Sequence, residues 1–115
     1  MANSGLHGPY DLTQSGVLNN VKGVGPGAYA LGRVGQDGTF YIDYVGRSDD
    51  DLAARLQQHT PERYPKFKHG FLSSAKAAFD KECALFHDFS PPDNKVHPAR
   101  PRGANWSCPR CAAFG

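Results

Sequence analysis

Residues 43–59 read DYVGRSDDDLAARLQQH, and the organisation of the chain follows from how this stretch is parsed. Tyr44 and Val45 end a strand, and Gly46 turns the chain. Ser48 is placed to cap a helix whose first turn holds Asp49, Asp50 and Asp51. A hydroxyl satisfies backbone N–H groups there, and carboxylates suit the positive end of the helix dipole. Along that helix Leu52, Arg55, Leu56 and His59 recur at i, i+3, i+4 and i+7 and so share one face. The leucines mark it as the face turned to a core. An arginine and a histidine on the same stripe are costly to bury without partners, and such groups gather where chemistry is done.

Working back from this stretch, Ala28 to Val34 alternates, with Tyr29, Leu31 and Arg33 on one side. Gly35-Gln-Asp-Gly38 reads as a hairpin loop, and Thr39 to Val45 as the return strand, with Phe40, Ile42 and Tyr44 on one face. Tyr29 and Tyr44 then fall close together at the strand ends far from the turn. Gly23-Val-Gly-Pro-Gly27 is a turn. Before it, Thr13 caps a short helix carrying Val17, Leu18 and Val21, which Gly23 ends. Met1 to Tyr10 form a loose lead-in.

Working forward, Pro61 and Pro65 enclose a loop, and Lys66 to Leu72 reads as a third strand. Ser73 or Ser74 caps a second long helix running to about His87, with Ala75, Ala78, Phe79, Glu82, Leu85 and Phe86 on one face. Beyond Ser90, the prolines at 91, 92, 98, 101 and 109 exclude regular structure. The expectation is a single α+β domain over 1–115, a small three-stranded antiparallel sheet flanked by helices. Residues 1–23 are its lead-in and short helix, 24–94 its core, and 95–115 a proline-rich tail.

Composition agrees with one folded domain: 115 residues, 39% hydrophobic and 21% charged. No apolar run reaches membrane-spanning length, and the N-terminus lacks the layout of a signal peptide. A cytoplasmic protein with no membrane partner is expected, with secretion as an effector left open. A formal charge of +2 suits a nucleic-acid partner without requiring one.

Glu82 interrupts an apolar stripe just as Arg55 and His59 do. Together with the two strand-end tyrosines, these residues supply the parts for cutting a phosphodiester. Glu82 can hold a divalent cation, and Arg55 can meet charge on a pentavalent phosphate. Tyr29, Tyr44 or His59 can deprotonate or orient water. The plain alternative is a buried salt-bridge cluster.

Gly27-Ala28-Tyr29 followed by Tyr44-Val45-Gly46 resembles the paired signature of the GIY-YIG nuclease superfamily, with Ala28 in the place of the usual isoleucine. The resemblance continues through Arg55, His59 and Glu82 to Asn94, at a spacing where that family often has an asparagine that shapes the site. It implies a metal-dependent DNA endonuclease with Mg²⁺ or Mn²⁺ on Glu82 and a site tyrosine as general base. Arg47, which directly follows the Tyr-Val-Gly turn, leads a set of expected backbone contacts with Arg33, Lys66, Lys68, Lys76 and Arg102. Tyr64 and Phe67 are interleaved with them as stacking groups. In so small a chain, specificity falls to DNA structure, a homodimer or a protein partner. The alternatives are a non-cleaving nucleic-acid-binding module of the same fold and a zinc-stabilised interaction domain.

The tail carries a second constellation. Cys83 and His87 stand i, i+4 on the second long helix, and Cys108-Pro-Arg-Cys111 has the spacing of a zinc knuckle. These four are the expected ligands of a structural Zn²⁺, with His97 as the competing fourth. Otherwise Cys83 is a core residue and the C-terminal pair are free thiols.

Overall fold

A computed structural model describes residues 4–59, 64–94, 96–99 and 103–110. In chain order it contains β1 (His7–Asp11), α1 (Gln14–Asn20), β2 (Gly27–Val34), β3 (Phe40–Ser48), α2 (Leu52–Gln57), β4 (Lys66–Phe71) and α3 (Ala75–Phe89). The strands form one antiparallel sheet in the order β1-β4-β2-β3. The fold is α+β as expected, but the sheet has four strands rather than three. The extra strand is the supposed lead-in, which pairs Tyr10 with Phe67 and His7 with His69. Its residues are mostly exposed and include a glycine and a proline, so it carries no apolar alternation to betray it.

Helices cover both faces of the sheet. Val17 and Val21 of the α1 region and Leu52 and Leu56 of α2 close over Tyr29, Leu31 and Phe67. On the other side Leu85 of α3 packs with Ala28, Ala30 and Val45. Leu18, next to the buried Val17, is 63% exposed. Among the described residues no helix is long and apolar enough to cross a membrane.

The β2–β3 hairpin contains a bulge that overturns one expectation. Leu31 pairs with Tyr44 but Gly32 with Ile42, leaving Asp43 as an extra residue. One extra residue reverses the facing of everything beyond it. Tyr44 therefore packs on the Tyr29 and Leu31 side, whereas Phe40 and Ile42 pack on the Ala28 and Ala30 side. Gly32 makes the bulge possible, since a Cβ there would lie 1.9 Å from the Tyr41 carbonyl oxygen.

Helix α2 starts later and ends sooner than expected. Asp51 is its N-cap and accepts from the Ala54 N–H, while the Ser48 hydroxyl accepts from the Asp51 N–H at 2.9 Å and closes a turn ahead of the helix. Asp49 and Asp50 thus precede the helix, and His59 lies just past its end. Leu52 and Leu56 are fully buried, but Arg55 is exposed at the edge of their stripe. The third helix is close to expectation: Ser74 caps it, and Ala78, Phe79, Glu82, Cys83 and Leu85 are buried.

His69 of β4 is 5% exposed, lies among Tyr10, Phe67 and Phe71 with His7 at 6.1 Å, and has a buried Nδ1 with no hydrogen-bond partner among the described residues. Burial, and secondarily His7, hold its pKa below the ordinary 6.5. The folded state therefore prefers neutral His69. Its stability is complete above the unfolded value and is lost as pH falls through the lower folded value. The urea midpoint should drop on acidification from about pH 7 to about pH 5, and less steeply in His69→Phe. Equal slopes in the two proteins would remove His69 as the cause.

Candidate active site

Tyr29 on β2 is paired directly with Gly46 on β3. A Cβ at Gly46 would lie 2.4 Å from the Tyr29 hydroxyl, so this glycine lets the tyrosine ring cross the neighbouring strand. Tyr29 is fully buried, and its hydroxyl is 2.8 Å from His59 Nε2. Burial drives its phenol well above the ordinary range, with Arg55 pulling the other way. The group is a neutral phenol, able to donate to or accept from the imidazole. The Tyr44 ring lies 5.9 Å from that of His59 and stacks on Tyr64, whose hydroxyl donates to Asp93 at 2.7 Å.

Strand β3 is an edge of the sheet, and Asn94 covers part of that edge. Its Oδ1 accepts from the Val45 N–H at 2.8 Å, and its Nδ2 donates to the Val45 carbonyl at 3.0 Å. Asn94 thus holds the backbone between Tyr44 and Gly46.

A pocket of about 210 Å³ opens where these elements meet. Tyr44, Arg47, Asp49, Arg55 and Glu82 line it, together with Gly46 and Ala99. Glu82 is 8% exposed, and its Oε1 receives a hydrogen bond from Arg47 at 2.6 Å. The same guanidinium donates to Asp49 at 2.8 Å and lies 5.3 Å from the centre of the Phe79 ring. Burial raises the Glu82 carboxyl above its ordinary value, and Arg47 opposes that shift. Arg55 reaches the pocket from its exposed position, with one guanidinium nitrogen on Gln58 at 2.8 Å.

No family model, curated protein or solved structure matches this chain.

The structure brings together Tyr44, Arg55 and Glu82 at the pocket, with Tyr29, His59 and Asn94 around them. It adds Ala99, which the sequence did not single out, and Asp49, which was expected only in the first turn of a helix. Arg47 was expected on a phosphate path and instead holds Glu82. The other basic residues do not join it. Arg33 faces Asp43 at 4.0 Å and Tyr41 at 5.0 Å, and Lys66 is paired with Asp11. Lys68 lies over Phe40 at 5.2 Å, and Lys76 bonds Asp80 at 3.0 Å. Phe67 is fully buried in the core and cannot stack on a base. Arg102 lies outside the described residues.

The ligand atoms of Cys83, His97 and Cys108 lie within 4.8 Å of one another, a group that could hold a metal ion. The expected His87 is not in it: its ring is 5.2 Å from that of His97, and its Nε2 is buried with no hydrogen-bond partner among the described residues. The helical i, i+4 spacing was a poor guide here, because His97 arrives from the tail. Cys111 lies outside the described residues. Burial, and then the neighbouring Cys108, push the Cys83 thiol up to about 12.

Proposed function

We propose that the pocket hydrolyses DNA phosphodiester bonds with the help of a divalent cation, in the manner of the GIY-YIG nucleases that the two tripeptides resemble. The observation that carries this reading is the convergence of Tyr44, Arg55 and Glu82, from three separate elements, on one pocket of about 210 Å³. A salt-bridge cluster alone would not need a tyrosine and a second arginine at its mouth.

Glu82 is the residue to hold Mg²⁺ or Mn²⁺. The fit is to a cation with a single protein carboxylate, since Arg47 occupies one carboxylate oxygen. Magnesium keeps several waters and shares substrate phosphate oxygens, so one carboxylate suffices. When bound, the cation supplies positive charge to the phosphate. Arg55, exposed and fork-shaped, meets the charge that develops on the phosphoryl oxygens. Tyr44, which lines the pocket, supplies the hydroxyl that orients the attacking water. His59 stands behind it as the proton acceptor, held in place by the buried Tyr29 hydroxyl. Tyr29 is then a positioning residue, because no part of it is exposed.

The closed Arg47–Glu82 pair favours a second reading, a DNA-binding module that does not cut, because a satisfied ion pair has no need of a metal. A plasmid-nicking assay with and without Mg²⁺ separates the two. Cleavage dependent on the cation supports hydrolysis, and binding without cleavage supports the module. Within the hydrolytic reading, Arg55→Ala should lower the rate roughly 10²–10³-fold with DNA affinity nearly unchanged. Arg55→Lys should rescue poorly, since an ammonium lacks the planar fork. Parallel losses of binding and rate would instead make Arg55 a backbone contact.

A further inference from the structure

We propose that Cys83, His97 and Cys108 bind a structural Zn²⁺ that fastens the tail to α3 and so builds one wall of the pocket. The three come from separate places: the middle of α3 and two points on a tail whose described residues form no helix or strand. Their donor atoms nevertheless meet within 4.8 Å, with Cys83 and Cys108 buried beside Phe79 and Trp106. Among the tail's described residues, Trp106 is only partly buried against Phe79. Val96, one of its larger apolar residues, is 78% exposed. Two soft sulfur donors and one imidazole in a closed setting suit tetrahedral zinc better than a hard cation.

The chemistry of His97 points the same way. Its Nδ1 is 2.9 Å from the Pro98 carbonyl oxygen, which can only accept, so Nδ1 carries the proton. Nε2 is then the nitrogen with a lone pair to give a metal, and the carbonyl orients the ring. A closed site takes four ligands. The spacing Cys108-x-x-Cys111 offers a fourth by sequence, outside the described residues, and the proposal rests on the other three.

The zinc would act on the pocket through its neighbours. Ala99, two positions after His97, lines the pocket. Cys83 directly follows Glu82, and Phe79 packs against Trp106 at 5.7 Å while lying under the Arg47 guanidinium. Losing the metal releases the Ala99 wall and loosens Phe79 beneath the Arg47–Glu82 pair. This second half rests on the nuclease reading; zinc binding itself does not.

Elemental analysis of protein purified without a metal-affinity tag tests the site directly. One zinc per chain is expected in the wild type and in His87→Ala, with zinc lost from His97→Ala and Cys108→Ser. Trp106 fluorescence should shift to that of an exposed indole when a chelator removes the metal. Should the variants fail to fold, Co²⁺ added to chelated wild type should give the visible bands of a tetrahedral thiolate site. A metal-free protein, a Cys83–Cys108 disulfide, zinc that survives His97→Ala, or absent cobalt bands would each overturn the proposal. None of these readouts involves DNA, so failure of the nuclease reading leaves them unaffected. With the site established, chelation should also lower any nicking measured in excess Mg²⁺, and unchanged nicking would overturn the coupling.

Discussion

Glu82→Gln is expected to reduce cation-dependent cleavage by roughly 10³-fold or more while leaving the protein folded. The amide keeps the shape of the carboxylate and can still accept from Arg47, which lies 2.6 Å away in the wild type. It cannot supply the negative charge that draws a hard cation. Arg47 also keeps Asp49 at 2.8 Å, so no guanidinium is left unpaired. The unfolding free energy should therefore move by only about 1 kcal/mol. Glu82→Ala should behave alike in activity, since it too removes the negative charge that draws the cation. The checks are Mg²⁺-dependent plasmid nicking, urea denaturation and zinc content on the same preparations. Nicking that persists in Glu82→Gln removes the cation from this residue. A large fall in stability would mean that the carboxylate is chiefly a structural partner of Arg47.

The positions that carry the reading were legible where local rules govern them. Ser74 as a cap, the alternation through Tyr29 and Leu31, and the apolar stripe of α3 each follow from periodicity and capping, and the structure has them. What the sequence hid was of two kinds. Strand β1 is an edge strand of exposed residues, so it leaves no alternation to read. The Asp43 bulge moves Ile42 to the other face, and no composition signal marks it besides Gly32. At the site, Glu82 was correctly placed as a carboxylate on an apolar face, but its partner was not. Arg55 looked buried because it shares the leucine stripe, yet α2 is only six residues long and leaves its edge open to solvent. Arg47 looked like a phosphate contact because it follows the Tyr-Val-Gly turn, yet it turns inward onto Glu82. Which of two arginines meets a buried carboxylate depends on how α3 crosses the sheet, and that is a tertiary fact. His97 replacing His87 has the same origin.

Arg47→Ala is expected to be the most destabilising single substitution at the site. The Arg47 and Glu82 side chains are only 12% and 10% exposed, so solvent screens the pair little. Removing one member of a buried pair leaves the other charge without compensation, at a cost of about 3–5 kcal/mol. The guanidinium also covers the Phe79 ring, and that contact goes with it. The loss should depend on pH in a definite direction. Burial already raises the Glu82 carboxyl above its ordinary 4.5, and Arg47 is the main influence opposing the rise. Without Arg47 the folded state binds the Glu82 proton more tightly than the unfolded state does. Stability is then greatest below the unfolded value of 4.5 and is lost as pH rises through the higher folded value. Arg47→Ala should therefore lie nearer the wild type at about pH 4 than at about pH 7. The double variant Arg47→Ala/Glu82→Gln should recover much of the neutral-pH loss, since no buried charge remains to be compensated. Urea denaturation of the four proteins at both pH values completes the cycle. A constant difference between Arg47→Ala and wild type, undiminished in the Glu82→Gln background, would assign the loss to Phe79 packing instead. Recovery in the double variant would identify Glu82 as a carboxylate held ionised by Arg47 on one oxygen, the state in which its other oxygen can take a cation.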